Sequence, residues 1–478
     1  MREKHFINLP AEPSTKNYYY SLQAAIPAQS VIGGSARSAS RVQSRSEGVF
    51  RRAAFFFLWI LIFVIPWENA VVIPGFGTLS RVVGIPAFGM ALLAILESGT
   101  LRTLSMQHLI VLFFIAWAGM TYFWSFDPST TVTAIFTFVQ IFAMLWLIWE
   151  FAQTTRQQLL LLRAYMVGAM ISSVATLENF STTTSVYSSR YTGLNFNPGD
   201  LGFIEALSIP IALYFAVRER KKILLWLDGS AIVLAFCAII LTAARGALVA
   251  CVPAALMVPF LFPKVKLGRN LAVLIFVALA GIGSWLFMPA SSWSRLSTIG
   301  SEVSSGTLNE RTLIWQIGWQ VFGEAPFQGV GAAAYAPTVE HALGLASNSG
   351  TNESGVAIGR LVAHNTFFSV LVEEGVIGFA LFLALLLTLV LSAWKLPHID
   401  RVFWLFLLLT WAIGACDLTW ETRKPTWFIF GLLIAAASTK VASEVRSSSL
   451  QNMRGLRVGI DPQNSSLPAE SYRFQGTL

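Results

Sequence analysis

The sequence predicts an all-α integral membrane protein with about twelve transmembrane helices and a large helical loop on the non-cytoplasmic side. Three observations carry that expectation. Of the 478 residues, 55% are hydrophobic and only 12% charged, against about 25% charged in an ordinary soluble domain. Polar side chains are therefore too few to cover a water-facing surface of this size. Apolar runs recur from residue 53 to residue 440, each of roughly 20 residues, the length that crosses about 30 Å of hydrocarbon as a helix. The runs do not alternate in polarity as barrel strands do, and an open sheet edge in lipid leaves backbone groups unpaired at a cost of several kcal/mol each.

In chain order, residues 1–50 are polar, rich in Ser and Ala and dotted with Lys and Arg. They lack the apolar stretch of a signal peptide and read as a disordered cytoplasmic tail. Twelve candidate spans follow, near 53–72, 79–96, 107–124, 131–150, 158–177, 200–217, 223–241, 246–262, 270–288, 376–394, 402–416 and 425–440. Spans one to nine thus occupy 51–288 and spans ten to twelve 376–440, and 441–478 forms a second disordered tail. Cys237, Cys251 and Cys416 lie within apolar runs, without disulfide or zinc spacing, and are expected to be small buried hydrophobes. The many tryptophans are expected in interfacial belts.

Orientation follows from the cations, because short cytoplasmic loops hold an excess of Lys and Arg. With the N-terminal tail inside, five short cytoplasmic loops carry twelve: Arg102; Arg156 and Arg163; Arg218, Arg220, Lys221 and Lys222; Lys264, Lys266 and Arg269; Lys395 and Arg401. The opposite short loops carry five: Arg81, Arg190, Arg245, Arg423 and Lys424. An even number of spans places both termini in the cytoplasm. The net charge of +8 is then accounted for by cytoplasmic loops and tails, and no nucleic acid partner is expected.

Residues 289–375 are too polar for lipid and form the large outer loop. Thr307-Leu308-Asn309-Glu310 fits a capping box. It opens an amphipathic helix from Arg311 to about Glu324, with Leu313, Ile314, Ile317 and Val321 on its apolar side and Pro326 beyond its end. A Ser-, Gly- and Asn-rich stretch, Ser347 to Gly355, is expected to be mobile. A second helix, about Asn365 to Glu374, ends at Gly375 and leads into span ten.

Outer arginines are the exceptions to the charge rule, and three stand out. Arg190 lies in Ser189-Arg190-Tyr191-Thr192-Gly193, Arg245 in the tight turn Thr242-Ala243-Ala244-Arg245-Gly246-Ala247, and Arg311 in the first turn of the loop helix. A guanidinium in such a setting is costly without an anion, and its fork gives a phosphate two charge-assisted hydrogen bonds. A diphosphate clamp fits these residues. So do salt bridges and snorkelling to lipid headgroups. Of the histidines, His341 and His364 face outward. His364 heads a helix just above the membrane, where an imidazole can take a proton near neutral pH or simply bond to backbone; His341 reads as a surface residue. Outer carboxylates include Glu68, Asp127, Asp200, Asp417 and Glu421, but spacing brings no two of them together. Glu373 and Glu374 are placed to contact the loop fold, and Gly329-Val330-Gly331 reads as a turn. No nucleotide or metal motif is present, so neither a cofactor nor a metal is expected.

From about Arg190 to Gly378 the sequence resembles the O-antigen ligase and polysaccharide polymerase family of bacterial membrane glycosyltransferases. The most specific element is His364-Asn365, nine residues, then Gly375-Val376-Ile377-Gly378. Supporting it are Ala244-Arg245-Gly246-Ala247 where the family often has Ser-Arg-Gly, Asn309-Glu310-Arg311 with Trp315 downstream, and Ala325-Pro326-Phe327-Gln328-Gly329-Val330-Gly331. The resemblance implies a glycosyltransferase C-like bundle in the bacterial inner membrane with its active site in the periplasm. It implies a metal-independent, inverting transfer of a glycan from undecaprenyl pyrophosphate to a glycan or lipid A-core acceptor. Arg190, Arg245 and Arg311 would bind the pyrophosphate, with Arg245 and His364 catalytic. It does not separate ligase from polymerase. A transporter or flippase of lipid-linked or envelope glycans is the competing class, although transporters place their charges at the midplane and here they cluster at one face.

Overall fold

The computed structural model of the chain describes residues 48–183, 190–261, 311–344 and 361–440. Almost all of these are helical. The helices are α1 (Val49–Val64, continued by a 3-10 turn to Ala70), α2 (Leu79–Ser98), α3 (Met106–Met120), α4 (Pro128–Phe151), α5 (Thr155–Thr182), α6 (Pro198–Arg218), α7 (Lys222–Thr242), α8 (Arg245–Ala250), α9 (Val252–Leu261), α10 (Arg311–Glu324), α11 (Tyr335–Ala342), α12 (Thr366–Trp394) and α13 (His398–Ala415). A further helix, α14, runs over 424–440. The one sheet among the described residues is a hairpin, β1 (Val72–Ile73) antiparallel to β2 (Gly77–Thr78).

Several starts are dictated locally. The Asp127 carboxylate accepts from the Ser129 and Thr130 amides with Pro128 in the first turn of α4. Thr154 and Gln157 close a reciprocal box on α5, and Asn197 caps α6 ahead of Pro198. These are the side-chain acceptors and the proline that a helix N-terminus favours.

Among the described residues nine helices are long and apolar enough to cross a membrane. They coincide with expected spans one to seven, ten and eleven. Span eight is interrupted at Cys251 between α8 and α9, and its described part, Arg245–Leu261, is shorter than the others. Span nine, 270–288, lies outside the described residues, and span twelve corresponds to α14.

The centre of the bundle is α6, 83% buried over its apolar window against at most 56% for any other span. It packs on α5, α7, α8 and α13. Gly202 lets it approach closely, since a Cβ there would meet those of Ala247 and Ala244 at 2.9 and 3.0 Å. Two expectations are corrected here. Trp411, Trp420 and Trp427 are fully buried in this core rather than belted at an interface, their indole N–H groups satisfied by Thr426, Asp200 and the Glu421 carbonyl. Cys416 is exposed, because it sits at the C-terminal cap of α13 and not within the span.

Charge sorts to the two ends. At one end Arg51 pairs with Glu150 at 3.3 Å, Arg163 with Asp228 at 2.7 Å and Arg218 with Asp400 at 2.6 Å. At the other, Lys424 meets Glu68 at 2.7 Å and Arg423 meets Asp200 at 3.1 Å. This second end carries α10, α11 and the start of α12, which share a small core of Ile314, Ile317, Val321, Tyr335, Val339, Ala363 and Val372. Leu313 is not part of it: half exposed, it points away from the apolar side on which the sequence placed it, and Gly318 fills that side instead, packed under Tyr335 and Phe368. The Thr307–Glu310 capping box and the Ser347–Gly355 stretch lie outside the described residues. The helix beginning after Asn365 does reach Gly375, then continues as α12 across a kink where Gly375 has φ 66° and ψ −174°.

Candidate active site

Four chain segments converge at the loop-bearing end. The first is the turn between α7 and α8. Ala243 caps α7 with φ 47°, which reverses the chain and starts α8 at Arg245. The second is the loop of Arg190, laid on the end of α7: the Tyr191 amide donates to Leu241 O at 2.9 Å and Arg190 Nε donates to Thr242 O at 3.0 Å. Arg190 and Arg245 are thus anchored within a few residues of each other on the same helix end.

The third segment is α10. Arg311 Nη1 donates to Asp417 Oδ1 at 2.6 Å, across 106 residues of sequence. One turn on, Trp315 Nε1 donates to Ala363 O at 2.7 Å, and Ala363 immediately precedes His364. Spacing of four puts Arg311 and Trp315 on one helical face, so this face holds both the Asp417 carboxylate and the backbone carrying the imidazole.

The fourth segment follows α13. Asp417 lies against Gly246, where even a Cβ would collide with its carboxylate. Thr366 Oγ1, in the first turn of α12, donates to Leu418 O at 2.7 Å and accepts from the Trp420 amide at 2.8 Å. Asn365 caps α12 through Oδ1 to the Phe368 amide at 3.1 Å. His364 itself is half-buried with φ 48°, a left-handed conformation that costs a non-glycine residue about 1–2 kcal/mol. Burial, followed by the charge of Arg311, lowers the pKa of His364, while Asp417 and Asp200 act in the opposite direction. The imidazole is consequently neutral at pH 7 and able to accept a proton.

The loop 326–331 secures the kink of α12. The amides of Val330 and Gly331 donate to the carbonyls of Val372 and Glu373 at 3.1 and 2.9 Å, and the Val376 amide donates to Pro326 O at 2.9 Å. The Glu373 carboxylate accepts from the Ala333 and Tyr335 amides at 2.9 and 3.3 Å. Gly329-Val330-Gly331 and Gly375-Val376-Ile377-Gly378 are two sides of one backbone joint. His341 is exposed, its ring 5.2 Å from that of Phe126.

The structure therefore gathers the segments of Arg190, Arg245, Arg311 and His364 at one end of the bundle. Asp417 is the residue that sequence reasoning failed to single out. It stood among many outer carboxylates, and nothing in its neighbourhood marked it as the partner of an arginine 106 positions away. Asp200, which accepts from Trp420 and pairs with Arg423, was hidden in the same way. Among the described residues no His, Cys, Asp and Glu side chains gather in a group suited to a metal ion.

A multi-pass α-helical membrane protein with a basic, histidine-bearing site at one end of its bundle is the class that fold and site define. Residues 230–383, about a third of the chain, match the family model described as O-Antigen ligase. The matched stretch contains Arg245, Arg311, His364 and Gly375, whereas Arg190, Asp200 and Asp417 fall outside it. No curated protein matches the chain. The match supports a ligase- or polymerase-type function in general.

Proposed function

We propose that the protein transfers a glycan en bloc from undecaprenyl pyrophosphate to an acceptor hydroxyl at the periplasmic face of a bacterial inner membrane, as an O-antigen ligase or as an O-antigen or exopolysaccharide polymerase. The observation that carries this reading is the Arg311–Asp417 pair at 2.6 Å beside the Arg245–Gly246 turn and the half-buried His364. The acceptor oxygen attacks the anomeric carbon and its proton passes to the imidazole of His364. The bond from that carbon to the diphosphate oxygen breaks, and the carrier leaves with the electron pair. Attack from the face opposite the leaving group inverts the anomeric centre. Arg190, Arg245 and Arg311 bind the diphosphate and offset the charge that grows on it, which is electrostatic catalysis by preplaced donors. Arg311 holds Asp417 through Nη1, and the other N–H groups of its fork can donate to a phosphate. In this reading the arginines supply the positive charge and no metal is required. The leaving group is activated before it arrives, so no nucleotide is consumed at the site.

The test is reconstitution of the full chain in liposomes with lipid-linked glycan, following release of free carrier diphosphate and the glycan product. Coupled release and product formation support transfer. A ladder of lengthening glycan marks a polymerase, and a single adduct on lipid A-core marks a ligase. Movement of intact lipid-linked glycan across the bilayer without carrier release would replace this reading with transport.

A further inference from the structure

Helix α10 carries one large aromatic side chain that the transfer scheme does not use. Trp319 is 55% exposed, and Gln316 and Gln320 beside it are exposed as well. Residues four apart share a helical face, so Arg311, Trp315 and Trp319 form one stripe. It covers about 12 Å at 1.5 Å per residue.

The stripe runs alongside the start of α12. Trp315 donates to Ala363 O at 2.7 Å, and Trp319 rests on Phe368, with ring centroids 5.2 Å apart. The Phe368 amide is held by the Asn365 cap. Three positions are thereby ordered along α10. Arg311 stands at one end, where its charge acts on His364. Trp315 is tied to the backbone next to His364, and Trp319 lies beyond it. Phe322 meets the Trp319 indole edge to face at 5.6 Å. Gly323, four residues on, adds no side chain to the stripe, and a Cβ there meets nothing within 4 Å. Trp319 is therefore a ring braced by Phe322 and Phe368, with the rest of its surface open.

A braced indole rimmed by amides is the surface that a pyranose recognises. The C–H face of the sugar stacks on the ring, and its hydroxyls bond the amides. Trp supplies that area at low entropic cost, because only two of its bonds rotate. In an inverting transfer the acceptor arrives opposite the leaving group. With the diphosphate at the Arg311 end and the proton passing to His364, the acceptor comes from the Trp319 end.

We propose that Trp319 is the stacking platform for a sugar of the acceptor, so that the accepted hydroxyl belongs to a saccharide. The assignment rests on the transfer reading above and adds a specificity-determining residue to it. The probes are saccharides released by mild acid from the surface polysaccharide of the producing cells. They carry no diphosphate and so report the acceptor position. With the full chain in nanodiscs, they are expected to protect Trp319 from hydroxyl-radical oxidation, read by mass spectrometry. With lipid-linked glycan as donor, Trp319→Ala is expected to raise the KM for these acceptors roughly tenfold, the scale of one aromatic contact, at unchanged kcat and melting temperature. Trp319→Phe should recover part of the loss. Gly323→Leu, which covers the open ring from the next turn, should reproduce it. Unchanged acceptor KM in Trp319→Ala and Gly323→Leu would overturn the assignment. So would protection of Trp319 by nanodisc lipid alone, which marks a membrane anchor. Should glycan be transferred while the saccharides neither protect Trp319 nor act as acceptors, the platform falls and transfer stands. Should they protect Trp319 while the wild-type chain transfers nothing, Trp319 is a saccharide site and the transfer reading falls.

Discussion

Gly329 and Gly375 meet backbone to backbone, and neither leaves room for a side chain. A Cβ on Gly329 would run into the Glu373 carbonyl, and one on Gly375 into the Phe327 carbonyl; both residues have positive φ, 71° and 66°. Gly375→Ala and Gly329→Ala are each expected to destabilise the protein by about 2 kcal/mol or more, from left-handed strain added to a backbone collision. Gly89→Ala, in a helix and facing open space, is expected to be neutral or mildly stabilising. Thermal unfolding in detergent compares the three.

Thr366 ties the start of α12 to the segment bearing Asp417 through two hydrogen bonds. Thr366→Val keeps the shape and removes both, leaving a buried amide and carbonyl unsatisfied at about 1–3 kcal/mol. A lower melting temperature is expected together with a lower turnover number, because Asp417 no longer fixes Arg311. Thr366→Ser should restore both.

The pH dependence follows from His364. Its pKa lies below the ordinary 6.5 because of burial and Arg311, against the opposing pull of Asp417 and Asp200. As a base it is active when neutral, so transfer declines as pH falls through that lowered pKa. Asp417→Asn removes a raising influence and should move the acid limb to still lower pH. Folding carries the same sign: the folded state binds the proton less readily than the unfolded chain, so this group's contribution to stability fades as pH drops below 6.5. A pH–rate profile of His364→Gln that keeps the wild-type acid limb would remove the imidazole from proton transfer.

Ala243 holds a left-handed φ of 47° at the end of α7. Ala243→Gly is expected to relieve about 1 kcal/mol of that strain and raise the melting temperature with the Arg245 turn intact, as thermal unfolding would measure.

The sequence made the bundle legible because each span is a long apolar run whose boundaries carry their own caps, as at Asp127, Asn197 and Asn365. It also singled out Arg190, Arg245 and Arg311, because an outer cation is an exception to the charge rule, and His364, because it heads a helix of the outer loop. Pairings were not legible. The Arg311–Asp417 bond spans 106 residues, and the Thr366 bonds to Leu418 and Trp420 span 52 and 54. Nothing local in a linear pattern encodes such partners. Burial of individual residues was misjudged where helix phase or position in the bundle decided it. Leu313 faces outward on an amphipathic helix, Cys416 is exposed beyond its span, and the three core tryptophans resemble interfacial ones in composition.

The most direct test of the central claim, that preplaced guanidiniums stabilise a departing diphosphate, is the single-turnover rate of Arg245→Ala on reconstituted lipid-linked glycan. Loss of one such donor is expected to cost roughly 10²–10³ in rate with carrier binding weakened far less and the fold intact. A folded Arg245→Ala protein that transfers glycan at the wild-type rate would contradict the account.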